Sequence, residues 1–68
     1  MELLELMKMV YRDQNIVITL KADIHGEGGR YNYQKEYYRG KAGDTPIRYA
    51  TYEVDTVLAM DDEMVIVL

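Results

Sequence analysis

The sequence contains few of the residue types from which catalytic or metal sites are built. Cys and Ser are absent, and His25 is the single histidine. Thiolate chemistry, zinc fingers and Ser/His/Asp nucleophiles are therefore excluded. An isolated histidine lacks both a second metal ligand and an orienting partner for general-base catalysis. We therefore predict a protein that is not an enzyme and that uses no cofactor and no metal.

The densest acidic cluster is Asp61-Asp62-Glu63. Carboxylate oxygens suit Mg²⁺ or Ca²⁺, but this segment has neither the length nor the central glycine of an EF-hand loop. It is typical of a solvated hairpin turn, in which Asp is a favoured residue. Glu53 and Asp55 lie nearby, and residues 53–68 contain no basic side chain. We predict that these five acids form a negative surface for binding a partner.

Aromatic and basic side chains alternate in the middle of the chain. Residues 28–52 contain five bases and two acids, and they include Tyr31, Tyr33, Tyr37, Tyr38 and Arg39. Such side chains can stack on bases of single-stranded nucleic acid, or they can form a protein-binding hot spot. They can also be the half-buried side chains of a strand in a chain without Phe or Trp. These three interpretations stay open, although the net charge of −4 argues against a duplex binder.

The first half of the chain predicts one helix and two strands. Leu3, Met7 and Val10 form an apolar stripe, with Leu6 beside it, which favours a helix over residues 2–12 that buries this side. Strict alternation favours a strand over 16–24. The glycine-rich segment 25–29 predicts a turn that exposes His25. A second strand over 30–38 is then expected to close a hairpin with the first.

The second half begins with a polar connection over residues 39–46. Asp44 or Thr45 before Pro46 resembles a helix cap, which favours a short helical turn over 46–51. Two further strands, 53–60 and 64–68, are expected to form a hairpin around the acidic cluster. The last strand is apolar on both faces, which is typical of a central strand or of one covered by a partner.

These elements predict one α+β domain over residues 1–68, in the order α-β-β-turn-β-β. The N-terminal helix is expected to pack on one face of a four-stranded, mostly antiparallel sheet. Acidic residues lie where a signal peptide needs bases, and no apolar run approaches the length of a membrane span. We therefore expect a cytoplasmic protein of a bacterial cell that does not associate with membranes.

Several segments together resemble small uncharacterised α+β proteins encoded by phages and prophages of Firmicutes. These segments are Leu3-Leu4-Glu5-Leu6-Met7, Ile16-Val17-Ile18, Tyr38-Arg39-Gly40-Lys41, Asp44-Thr45-Pro46, Val54-Asp55-Thr56-Val57-Leu58-Ala59 and Met64-Val65-Ile66-Val67-Leu68. The resemblance implies that the chain is encoded by a virus or a mobile element. It brings no catalytic residue with it.

The leading functional hypothesis is a binding protein that inhibits or modulates a host protein. A nucleic-acid-handling or defence enzyme is the expected partner, with the acids imitating a phosphate backbone and the tyrosines serving as apolar anchors. One alternative is a sponge for a nucleotide signal, in which phosphates are held by Arg30, Lys35, Arg39 and Lys41. Another is a homo-oligomeric assembly protein in which the strand 64–68 pairs with a copy of itself. Direct nucleic-acid binding is not expected.

Overall fold

The structure, a computed structural model, describes residues 1–21, 24–27, 30–33 and 35–68, and for 24–27 and 30–33 it describes the backbone alone. One short helix precedes the strands, so the α+β class is confirmed. The elements in chain order are α1 (Leu3–Met7), β1 (Asn15–Thr19), β2 (Ile24–Glu27), β3 (Arg30–Tyr33), β4 (Tyr38–Lys41), two 3₁₀ turns (Ala42–Asp44 and Ile47–Tyr49), β5 (Thr56–Met60) and β6 (Glu63–Val67).

The main sheet has four strands in the order β4-β1-β6-β5. The central pair, β1 and β6, is parallel, with Ile18 opposite Ile66, and the two outer pairs are antiparallel. Both central strands are runs of buried apolar residues, which is the composition expected of strands covered on both faces. Of the two alternatives for the last strand, the central position is the one observed, and the sheet is mixed because its centre is parallel.

The predicted hairpin between residues 16–24 and 30–38 is wrong. β1 ends at Thr19. Its parallel partner β6 ends at the same level, because Thr19 is opposite Val67, the last residue of β6. Its antiparallel partner is β4, which begins only at Tyr38. The chain between β1 and β4 contains β2 and β3, which form a separate two-stranded sheet.

The predicted turn over residues 25–29 also needs correction. His25, Gly26 and Glu27 belong to β2, which pairs with β3 in the register Glu27 to Arg30. The connection between the two strands is therefore shorter than predicted, and residues 28 and 29 lie outside the described residues. The side chain of His25 also lies outside them, so its predicted exposure stays a prediction.

The N-terminal helix covers five residues, fewer than the predicted segment 2–12. The N–H of Glu2 donates to the Glu5 carboxylate at 3.1 Å at its start. After Met7 the backbone continues in tighter turns, as shown by the 2.9 Å bond from the Met9 N–H to the Leu6 carbonyl. The predicted buried side of this segment is nevertheless correct, because Leu3, Leu6, Met7 and Val10 all pack on the core.

The short helical turn predicted after Pro46 is confirmed as the 3₁₀ turn Ile47–Tyr49. Its predicted cap is wrong, because Pro46 itself occupies the N-cap position and no side chain caps the turn. The Thr45 hydroxyl donates instead to the Ala42 carbonyl at 2.7 Å, within the preceding turn. The predicted polar connection 39–46 is also shorter, since Arg39, Gly40 and Lys41 belong to β4.

The core has two layers, one on each face of the central strands. On the helix side, Ile16, Ile18 and Ile66 pack with Leu3 and Tyr49. On the other side, Val17, Val65 and Val67 form a second buried cluster with half-buried Leu58. Edge strand β5 therefore rests on a central strand that is fixed by packing on both faces.

A buried hydroxyl fixes the end of β1, and its removal has a predictable effect. Thr19 is fully buried, and its hydroxyl donates to the Lys35 carbonyl at 2.9 Å. We expect Thr19→Val to lower the free energy of unfolding by about 1 kcal/mol, because the carbonyl loses its donor. Urea unfolding followed by far-UV circular dichroism measures this change. Thr56→Val, at an exposed position on β5, is the matched control and should change stability by less than about 0.5 kcal/mol.

Candidate functional site

The five acids predicted to form one surface lie at the two ends of β5. Glu53 and Asp55 precede the strand, whereas Asp61, Asp62 and Glu63 follow it in the hairpin turn and the first residue of β6. Asp55 and Asp61 are separated by the length of the strand, roughly 20 Å at about 3.3 Å per residue. The structure therefore divides the predicted negative surface into two parts with β5 between them.

Ion pairs neutralise the acids that precede β5. The amino group of Met1 lies 3.0 Å from the Glu53 carboxylate, which raises the pKa of this amine by hydrogen bonding and by charge. Lys21 Nζ lies 3.5 Å from Asp55 Oδ1. Both pairs are exposed and contribute little to stability, but they reduce the net charge at this end of the strand.

The hairpin turn keeps its negative charge. Asp61 and Asp62 are exposed, and within the described ranges no basic side chain forms an ion pair with either of them. Asp61 has a φ of 52°, a left-handed conformation that Asp and Asn tolerate better than most residues. The predicted two-strand hairpin around these acids is confirmed, although β5 begins at Thr56 and Glu63 belongs to β6.

The tyrosines and the arginine of the middle segment do not form one surface among the described residues. Tyr31 and Tyr33 belong to β3, where the side chains lie outside the described residues. Tyr37 and Tyr38 are half-buried and pack against the helix-side core. The Tyr38 hydroxyl donates to the Lys41 carbonyl at 2.7 Å. The pKa of Tyr38 is raised, mainly by burial and to a smaller extent by the negative charge of Asp44. Tyr37 and Tyr38 thus help to hold the fold.

Arg39 connects two acidic residues across the second face of the sheet. Its Nε donates to Glu36 at 2.8 Å, and its guanidinium also contacts the Glu63 carboxylate. Guanidinium–carboxylate pairs of this kind are strong and directional. Arg39 therefore joins the start of β6 to the segment before β4, and Glu63 is engaged in this contact.

The outer edge of β5 is the main feature that sequence reasoning missed. A two-residue turn closes this hairpin between Met60 and Glu63, so hydrogen-bonded and non-hydrogen-bonded pairs alternate from there. Leu58 consequently bonds to β6, and the N–H and C=O groups of Val57 and Ala59 point outward. No strand of the described part of the chain pairs with this edge.

The two edges of the sheet differ in how they are protected. β4, at one edge, carries Arg39 and Lys41, and charged side chains discourage pairing with further strands. β5, at the other edge, contains no charged residue, no proline and no glycine. Of its five residues, four have exposed side chains, including Val57 at 41% and Met60 at 36%. An exposed, uncharged edge of this kind is a template for another strand.

A second apolar feature lies on the helix side of the molecule. A groove of 220 Å³ is formed between α1 and the two 3₁₀ turns, and its walls include Leu3, Leu4, Met7, Pro46, Ile47 and Ala50. Leu4 is 51% exposed and Ile47 is 88% exposed. The groove is smaller than pockets for drug-sized ligands, which measure about 300–1,000 Å³. The sequence feature that could have indicated this groove is Leu4, an apolar residue that lies outside the predicted apolar stripe of the helix.

The described residues contain no group of three or more His, Cys, Asp or Glu side chains arranged to hold a metal ion. Across those same ranges, no helix is long and apolar enough to cross a membrane. A comparison with protein-family models, with curated proteins and with solved structures gives no match. The candidate site is therefore defined by geometry alone, as the open edge of β5 with acidic residues beyond each end.

Proposed function

We propose that this chain is a non-enzymatic binding protein that accepts an extended segment of a partner protein along the outer edge of β5. The observation that carries the proposal is the outward direction of the main-chain groups of Val57 and Ala59 on an exposed, uncharged strand. In strand addition, such groups provide affinity while neighbouring side chains provide specificity. A host protein that handles nucleic acids fits this proposal, since its basic segments would complement the acidic turn.

The nucleotide-sponge alternative has less support. Arg39 is held by two carboxylates, and Lys35 Nζ lies 5.0 Å from the centre of the Tyr37 ring. Lys41 Nζ lies 3.7 Å from Asp13 Oδ1. These cations would have to leave their present contacts before they could bind phosphates.

The self-assembly alternative, in which the strand 64–68 pairs with a copy of itself, also has less support. β6 is bonded to β1 on one side and to β5 on the other, so both of its edges are occupied. Pairing of this strand with a copy of itself would require one of these edges to open. The apolar composition that suggested it is explained by the two buried faces of a central strand.

Ala59→Pro tests the proposal, because proline removes the outward N–H of residue 59 and leaves the bonds to β6 in place. Extended peptides should first be selected on the immobilised chain from a random peptide display library. We expect the selected peptides to shift the amide resonances of Thr56–Met60. We expect Ala59→Pro to weaken their binding by about tenfold or more, through loss of a main-chain hydrogen bond and the bulk of the ring.

Ala59→Thr is the matched control, since threonine adds similar bulk at residue 59 but keeps the N–H. It should bind the peptides as the unmodified chain does, and both variants should retain the circular dichroism of the folded protein. Unchanged peptide affinity in folded Ala59→Pro would contradict strand addition. Amide shifts confined to the groove between α1 and the 3₁₀ turns would also contradict it.

A further inference from the structure

The charge around β5 is unequal at its two ends, and this inequality bears on the chemistry of the partner. Before the strand, Glu53 is paired with the amino terminus and Asp55 with Lys21. After the strand, Asp61 and Asp62 are exposed. The adjoining Arg39 is a single cation shared by two carboxylates, those of Glu36 and Glu63. Among the described residues, the turn end therefore carries two carboxylates without an ion pair, whereas the two carboxylates directly before the strand each have one.

A second copy of the chain is a poor occupant of this edge. In a two-fold antiparallel pairing centred on Leu58, the outward groups of Val57 would bond to those of Ala59 in the copy. The same register places Asp55 of each chain opposite Asp61 of the other. Because that Asp55 is already paired with Lys21, a second copy brings no uncompensated positive charge to the acidic turn. A partner with positive charge complements the turn.

Antiparallel addition is the more stable geometry, because its hydrogen bonds run perpendicular to the strands, whereas those of a parallel pair are slanted. An antiparallel segment places its N-terminal end beside the C-terminal end of β5, where the acidic turn lies. We propose that the partner supplies an uncharged, β-forming strand that is preceded by basic residues, an inference that rests on the proposed function. Its bases lie beside Asp61 and Asp62, and its main chain bonds to Val57 and Ala59.

Three synthetic peptides test this assignment. All three have the same core of alternating valine and threonine. The first carries two lysines at its N-terminal end, the second carries two lysines at its C-terminal end, and the third carries two glutamines at each end. We expect titration at low salt to show the N-terminal lysine peptide binding about fivefold to tenfold more tightly than the glutamine peptide, since each exposed charge contact contributes modestly. The difference should shrink in 0.5 M salt, where charges are screened within a few ångströms.

The variant with Asp61→Asn and Asp62→Asn is the matched control within the protein. Asparagine tolerates the left-handed backbone at residue 61, so the hairpin should persist. We expect this variant to bind the lysine and glutamine peptides equally, at the affinity that the unmodified chain has for the glutamine peptide. Such equalisation, with folding retained, would assign the preference to the turn.

Each other result overturns a defined part of the assignment. Equal binding of all three peptides by the unmodified chain would remove the charge preference and leave strand addition intact. Tighter binding of the C-terminal lysine peptide would overturn the antiparallel direction. A failure of all three to bind would count against the proposed function itself. A dimer in sedimentation that is lost in Ala59→Pro would show that a second copy occupies the edge.

Discussion

Ile66→Ala is expected to lower the free energy of unfolding by about 2–5 kcal/mol, which is the usual cost of deleting a buried isoleucine side chain. Ile66 is fully buried in β6, opposite Ile18 of β1 and Val57 of β5. Its side chain belongs to the core cluster that also contains Leu3 and Tyr49. Truncation leaves a cavity that strands fixed on both faces can close only in part.

Ile47→Ala is the matched control, because Ile47 has the same side chain but is 88% exposed. It should change stability by less than about 0.5 kcal/mol. Urea unfolding can be followed by far-UV circular dichroism.

A domain of this length has a total stability of roughly 3–10 kcal/mol, so a loss at the upper end of the expected range for Ile66→Ala would populate the unfolded state without denaturant. Ile66→Val keeps the test quantitative, with an expected loss of about 0.5–1.5 kcal/mol. A loss for Ile66→Ala no larger than that for Ile47→Ala would contradict the central position of β6.

The sequence predicted the elements of the second half of the chain better than those of the first. Residues 64–68 have no polar side chain, and this composition indicated a strand that is central or covered by a partner, of which the first is observed. Asp61 and Asp62 marked the turn because short polar residues tolerate its backbone. In the first half, alternation continued past Thr19, although β1 ends there. Local patterns do not contain that information.

The parallel pairing of β1 with β6 could not be predicted from local patterns either. Ile18 and Ile66 are neighbours in the sheet although most of the chain separates them in sequence. Nothing in either segment specifies the other as its partner. The apolar runs of both strands are compatible with several neighbours. The same limit explains the wrong hairpin, because β2 and β3 pair with each other and β1 pairs with β4.

The sequence indicated the acidic turn but not the geometry of the strand edge beside it. Asp61 and Asp62 were correctly placed in an exposed turn, whereas Glu63 turned out to contact Arg39. Hydropathy patterns describe side chains, so they did not reveal the outward main-chain groups of Val57 and Ala59. The available signal was the lack of any charge in residues 56–60, which is unusual for an exposed edge.

Tyr49→Ala is expected to lower the free energy of unfolding by about 3–5 kcal/mol, as is typical of buried aromatic side chains. Tyr49 is 8% exposed, and its hydroxyl donates to the Tyr37 carbonyl at 3.2 Å. Its ring lies 5.8 Å from that of Tyr52 in an edge-to-face arrangement, and the Arg48 guanidinium lies 4.9 Å from its centre. The side chain therefore joins the second 3₁₀ turn to the segment before β4 and to the sheet.

Two further variants separate the contributions of the Tyr49 ring and hydroxyl from those of an ordinary tyrosine. Tyr49→Phe keeps the ring and should cost about 1 kcal/mol, which is the value of one hydrogen bond. Tyr11→Ala, at a side chain that is 87% exposed, should cost less than about 0.5 kcal/mol in the same urea experiment.

Equal losses for Tyr49→Ala and Tyr49→Phe would mean that the hydroxyl, and not the packed ring, holds the turn. A loss for Tyr49→Ala no larger than that for Tyr11→Ala would mean that the turn is not part of the core. The groove between α1 and the 3₁₀ turns would then lose its fixed wall. The edge of β5 would keep its support, because Val65 and Val67 on the other face of β6 pack with Val17 and Leu58.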